Sequence, residues 1–180
     1  NSSFVKNLSK LIKKRAGENS LGMSIGDHAR IIHCGAIKNV TIGPFSYVHG
    51  SQYLENGTIL SCPEHPTEVG EAVYAKSFII SEGAKIDSGA ILDKVFVGQA
   101  AKLGKQFSAE NSMFFANCEG FHGEAVSVFA GPYTVTHHKS TLLIAGLFSF
   151  FNSGSGTNQS NHMYKLGPVH QGVFERGCKT

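Results

Sequence analysis

From residue 25 onward, apolar residues return every six positions. Ile25 and Ile31, then Ile42, Val48, Leu54 and Leu60, then Ile80, Ile86 and Leu92, then Val97, Leu103, Ala109 and Phe115 fall six apart within each unbroken run. The fourth residue after them is often small, as at Ala29, Gly35, Ser46, Thr58, Ala84, Ala90 and Ala101, with Gln52, Phe107 and Met113 as exceptions. A period of six is neither that of a helix nor that of one alternating strand. It describes a short strand, a turn, and the same again. Three such units close a triangular coil of about eighteen residues, and coils stack at the β spacing of roughly 4.8 Å. In this reading the aliphatic residue points to the axis and the small one fits the corner. The Gly or Asp that often follows the aliphatic residue (Ile25-Gly26-Asp27, Ile42-Gly43-Pro44, Ile86-Asp87, Val97-Gly98, Leu103-Gly104) takes the unusual backbone angles. No unit is stable alone, because its apolar side is covered only by the coils above and below.

Composition agrees with many tight turns around a narrow interior: 21 of 180 residues are Gly, Trp is absent, and apolar residues make up 41% against 16% charged. The net charge of +3 is concentrated at one end, where Lys6, Lys10, Lys13, Lys14 and Arg15 lie. The rest is close to neutral, which excludes a nucleic-acid-binding face spread along the fold. Cys34, Cys62, Cys118 and Cys178 form no C-x-x-C pair and no zinc-ribbon spacing, and read as reduced thiols of a cytoplasmic protein. The longest apolar run, Leu142 to Phe151, is too short to span a bilayer and is broken by Gly146 and Ser149.

Two further segments stand outside the repeat. In residues 1–22, Phe4, Val5, Leu8, Leu11 and Ile12 recur at helical spacing with the five basic residues interleaved, and Gly17 offers a stop. This amphipathic helix is expected to lay its apolar side on the body of the protein and cover an open sheet edge. Residues 23–180 are expected to form one β-helix domain. Within it, residues 61–68, with Pro63 and Pro66, read as a loop leaving the coil. Residues 117–165 lose the six-residue register and read as an irregular insertion. A chain that opens on Asn1 and closes on Thr180 after a Gly-rich turn reads as a piece of a longer protein.

The pattern aliphatic-Gly-x-x-small-x resembles the hexapeptide-repeat superfamily of left-handed parallel β-helices, over residues 23 to 115 and again at Leu166-Gly167-Pro168-Val169-His170-Gln171. The fold class is therefore expected to be all-β, a left-handed parallel β-helix with an amphipathic α-helix before it, the handedness coming from the resemblance alone. The stretch Thr136-His137-His138-Lys139-Ser140 and residues 154–165 resemble more closely a family of long bacterial β-helix proteins with no assigned activity. The superfamily implies two functions. One is an acyltransferase in which a coil His is the general base, an acyl-CoA or acyl-carrier-protein thioester is the co-substrate, and a sugar or sugar nucleotide is the acceptor. The other is a non-catalytic scaffold or oligomerisation module, as in the tails of sugar nucleotidyltransferases. Trimers are common in the superfamily, so a homo-oligomer is expected from the resemblance.

Five of the nine histidines fall between residues 122 and 170. Chemistry on a repeat scaffold tends to sit where the repeat breaks. The candidate bases are accordingly His138, His162 and His170, the last in a Val-His-Gln segment like one in sugar-nucleotide O-acyltransferases. Asn158, Gln159, Asn161 and His122 are the candidate substrate-binding residues. No H-x-H, H-E-x-x-H or Cys/His ligand spacing is present, so no metal is expected. No cofactor is required beyond the thioester. His137 and His138, if adjacent in a strand, would point to opposite faces.

Overall fold

A computed structural model describes residues 2–18, 23–143, 147–160, 162–163, 167–168 and 173–174. One helix, α1 (Ser2–Glu18), precedes a parallel β-solenoid of about seven turns. The solenoid has two ladders. Short strands, among them Arg30–Ile32, Tyr47–His49, Glu68–Val69, Lys85–Ile86, Lys102–Gly104, Glu119–Phe121, Val135–Thr136 and Asn152–Ser153, stack into a flat eight-stranded sheet. Seven-residue strands, Ala36–Ile42, Tyr53–Ile59, Tyr74–Ile80 and Ile91–Val97, lie in a larger sheet that bends once in every coil. Every coil-to-coil pairing is parallel, as in Ser24 against Thr41 and Lys85 against Lys102.

Those pairs are 17 residues apart, so a regular coil is one residue shorter than three full hexapeptides; the coil that carries the loop is longer, with Tyr47 and Glu68 21 apart, and the coil from Glu119 to Val135 is 16. The missing residue is lost at the bend. There the chain turns on a single residue in the left-handed region: Asn39 (φ 51°), Asn56 (53°), Ser77 (51°), Lys94 (54°) and Asn111 (48°). Inward positions across the bend are consequently five apart, so Leu54 is followed by Ile59 and Ala109 by Phe114, all four buried. The sequence pattern had put Leu60 and Phe115 inside. Both face outward, and Leu60 is 40% exposed.

A second correction concerns the glycines after the inward residue. Gly26, Gly43, Gly98 and Gly104 do not have positive φ; the left-handed residue comes later in the corner, at His28, Phe45, Ala100 and Lys105. What requires Gly43 is close approach. A Cβ there would lie 2.8 Å from the Ile59 carbonyl oxygen and 2.9 Å from the Ser61 nitrogen of the next coil. Ser46, Ala84, Ala90 and Ala101 are buried as expected, whereas Thr58 lies within the strand Tyr53–Ile59, half-buried and facing outward. Ser46 and Thr134 turn their hydroxyls onto the carbonyls of Gly43 and Gly131, each at 2.8 Å.

The loop at residues 61–68 is present and widens one coil, pairing Tyr47 with Glu68. Its neck is closed by hydrogen bonds: the Thr67 hydroxyl donates to the Leu60 carbonyl at 2.6 Å, and the Thr67 N–H donates to Ser61 Oγ at 3.0 Å. The stretch from residue 117, by contrast, is no irregular insertion as far as it is described. Glu119–Phe121, Glu124–Val126, Phe129–Ala130, Val135–Thr136, Thr141–Leu143 and Asn152–Ser153 continue the ladders. The repeat fades from the sequence because inward positions there are Gly120, Ala125, Ala130, Thr136 and Ser153. Phe107, fully buried, fills the space: its ring lies where a Cβ on Gly120 or Gly123 would be, 2.9 and 3.1 Å away. Gly167–Pro168 is not a resumed parallel coil; it pairs antiparallel with His162–Met163.

The helix also departs from expectation. Among the described residues α1 packs on no strand, and its apolar side chains are exposed. Among the described residues no helix is long and apolar enough to cross a membrane.

Candidate functional site

The outward positions of the flat sheet repeat at the coil spacing, which places charged and aromatic side chains of successive coils side by side. At one end the Tyr47 and His49 rings stack at 4.3 Å, with the Arg30 guanidinium 4.9 Å from the Tyr47 ring. His49 Nε2 lies 3.1 Å from Glu68, and Lys85 Nζ contacts the other Glu68 oxygen at 3.1 Å. Burial alone would raise the Glu68 carboxyl, but the hydrogen bonds from His49 and Lys85 outweigh it and hold the group below its ordinary value. Lys85 is raised in turn, chiefly by its hydrogen bond to Glu68.

Towards the other end the same grouping returns. Glu119 takes Lys102 Nζ at 3.0 Å on one oxygen and His137 Nε2 on the other. Its carboxyl is lowered, first by the hydrogen bond from His137 and then by Lys102. The Phe121 ring lies 5.4 Å from that of His137, and Lys105 Nζ is 5.0 Å from the Phe121 centroid. With its proton on Nε2, His137 donates to Glu119 and keeps a lone pair on Nδ1. A carboxylate-oriented imidazole of this kind can act as a base, although His137 is open to solvent and the pair adds little stability.

Sequence reasoning singled out His138, but the structure gives the carboxylate to its neighbour. The strand ends at Thr136, so strict alternation does not reach residues 137 and 138, and their rings meet edge to face at 6.3 Å rather than on opposite faces. His122 and His138 occupy the same corner in consecutive coils, as the pairing of Glu119 with Val135 requires, and both are exposed. Asn158 begins a strand one coil further on, beside Thr141, and is also exposed. The structure thus brings His122 and His138 to one corner and leaves Asn158 on the other ladder. Gln159 and His162 lie on the described strands Asn158–Ser160 and His162–Met163, but their side chains are outside the described residues. Asn161 and His170 lie outside them altogether. Among the described residues no group of three or more His, Cys, Asp or Glu could hold a metal ion.

A recess lies elsewhere, along the outer side of the bend. It is about 770 Å³. One wall is polar, with Asn39, Asn56, Ser77, Lys94 and Asn111 from successive corners, and Asn39 Nδ2 donates to Asn56 Oδ1 at 2.7 Å. The other is apolar, with Ile79, Phe96 and Met113 in register on adjacent coils. Phe115 and Phe129 extend the apolar strip, with ring centroids 5.5 Å from Phe96 to Phe115 and 4.8 Å from Phe115 to Phe129. Sequence reasoning missed this groove. The signal was present in the residue before each inward one on this arm, which changes from Thr41 and Thr58 to Ile79, Phe96, Met113 and Phe129.

A family model described as "Domain of unknown function (DUF4954)" matches residues 1–180. A protein of Treponema pallidum (strain Nichols), described as "Uncharacterized protein", is 40% identical over 53 residues, which is 29% of this chain and 7% of that protein. The matched stretch is thus a small part of that relative's length.

Proposed function

Taking as premise that the chain belongs to the DUF4954 family, we propose that it is a non-catalytic β-solenoid module of a larger, cytoplasmic protein, and that it associates with a second copy of itself through the outer side of the bend. The groove with its apolar strip carries this reading. Ile79, Met113 and Phe129 are more than 40% exposed and run together with Phe96 and Phe115 along one face, and contiguous exposed apolar strips mark association sites. A second copy fits such a strip because both ladders repeat at the coil spacing of about 4.8 Å, so two identical faces come into register without adjustment. The interior is filled by Leu54, Ile86, Leu92, Leu103 and Phe107, which leaves the outer surface for recognition.

One observation favours the acyltransferase reading as a second possibility: the base it needs would be His137, held by Glu119, with Lys102 and Lys105 beside it for an anionic acyl-thioester donor. A single comparison separates the two. Full-length protein carrying Phe96→Glu and Met113→Glu, and full-length protein carrying His137→Asn, are examined by light scattering and for CoA release from acyl-CoA donors with sugar acceptors. The module reading expects the groove variant alone to fall to a lower mass, with no CoA release by the wild type. Unchanged mass in the groove variant overturns it, and CoA release abolished by His137→Asn establishes the other.

A further inference from the structure

Among the described residues the solenoid leaves the apolar side of α1 uncovered. Phe4, Val5, Leu8, Leu11 and Ile12 are 44–65% exposed. At 100° per residue they occupy an arc of about 120° on one side of the helix. Lys6, Lys10, Lys13 and Lys14 fall on the opposite side. Arg15 falls within the apolar arc itself, in the last turn, where its long side chain can bury its stem and carry the guanidinium up to the polar level. Glu18 is the one acidic residue of the helix.

The charge decides between possible occupants of this face. Neither apolar surface that the solenoid offers has the acidic groups to answer Lys6, Lys10 and Lys13: the groove is lined by uncharged residues and Lys94, and the exposed first coil presents Ile25 and Ile31 beside Arg30 and a single carboxylate, Asp27. A helix with a narrow apolar stripe of Phe and Leu, low overall hydrophobicity and a Lys-rich back has the composition that lies in the plane of a lipid interface. We infer that α1 binds the surface of an anionic membrane, with Phe4, Leu8, Leu11 and Ile12 among the acyl chains and the lysines among lipid phosphates. The solenoid would then stand on the membrane surface by a helix of about 25 Å lying flat. This surface is separate from the groove, so either assignment can fail without the other.

The test uses full-length protein co-sedimented with vesicles of phosphatidylcholine alone or with roughly one-third phosphatidylglycerol, where each basic residue near the surface is worth about a five-fold gain in partitioning. A tenfold or greater preference for the anionic vesicles is expected. It should be lost at high salt, in the combined variant Lys6→Gln, Lys10→Gln, Lys13→Gln, Lys14→Gln, and in Leu8→Gln with Leu11→Gln, while thermal melting of the solenoid and the light-scattering mass stay as in the wild type. Absence of binding, equal binding to neutral vesicles, or binding that survives both sets of substitutions overturns the inference. So does a change of mass in the helix variants, which would make a second copy the occupant of this face.

Discussion

Thr136 and Ser153 face the interior in consecutive coils of the flat sheet, and neither hydroxyl has a hydrogen-bond partner among the described residues. Both residues are 2% exposed. A buried hydroxyl without a partner costs about 1–3 kcal/mol, so Thr136→Val, which keeps the shape and removes the hydroxyl, should raise stability by about 1 kcal/mol in urea unfolding. A loss of stability would mean that the hydroxyl is bonded after all. These two positions also show why the far coils were hard to read from sequence. A polar residue at an inward position erases the periodicity that identified Ile86 or Leu92, yet the backbone ladder does not depend on it. Individual chemistry was still harder to foresee. The partnership of Glu119 with His137 crosses from one coil to the next, and only the register between coils brings the two together.

At the scale of elements, the bend gives the solenoid its shape and the groove its polar wall. Each bend depends on one residue with φ near 50°, a conformation that Asn adopts more readily than other non-glycine residues. Asn39, Asn56 and Asn111 meet that demand, whereas Lys94 does not. Lys94→Asn should therefore stabilise the protein by up to about 1 kcal/mol, read as a rise of a few degrees in melting temperature. A fall would mean that packing of the Lys94 stem on its neighbours outweighs the backbone term. The bend was only partly legible in the sequence. The six-residue spacing of Val48 and Leu54 was plain, but the five-residue step from Leu54 to Ile59 was hidden because Leu60 is also apolar. The loop at residues 61–68 was legible for the opposite reason, since Pro63 and Pro66 cannot donate to a ladder. The helix was legible as a helix, but what covers it depends on surfaces that periodicity does not describe.

For the whole molecule the coil is the unit of both stability and length, because each turn is buried only by its neighbours. The parallel β-helix was foreseen from residues 25 to 115 alone, while the length of its coil was overestimated by one residue. That residue matters, since a slip of one exchanges inward for outward side chains along a strand. The account is tested most directly by removing one coil in two ways and following cooperative thermal unfolding and small-angle scattering. Deleting residues 85–101 places Lys102 where Lys85 stood, facing out, with Leu103 inward on Val69. This protein should unfold in one cooperative transition and be shorter along the solenoid by about 4.8 Å. Deleting residues 85–102 places Leu103 outward and should give a less stable, less cooperative protein. If the second deletion folds well and the first does not, the 17-residue coil, and the placement of every face built on it, is wrong.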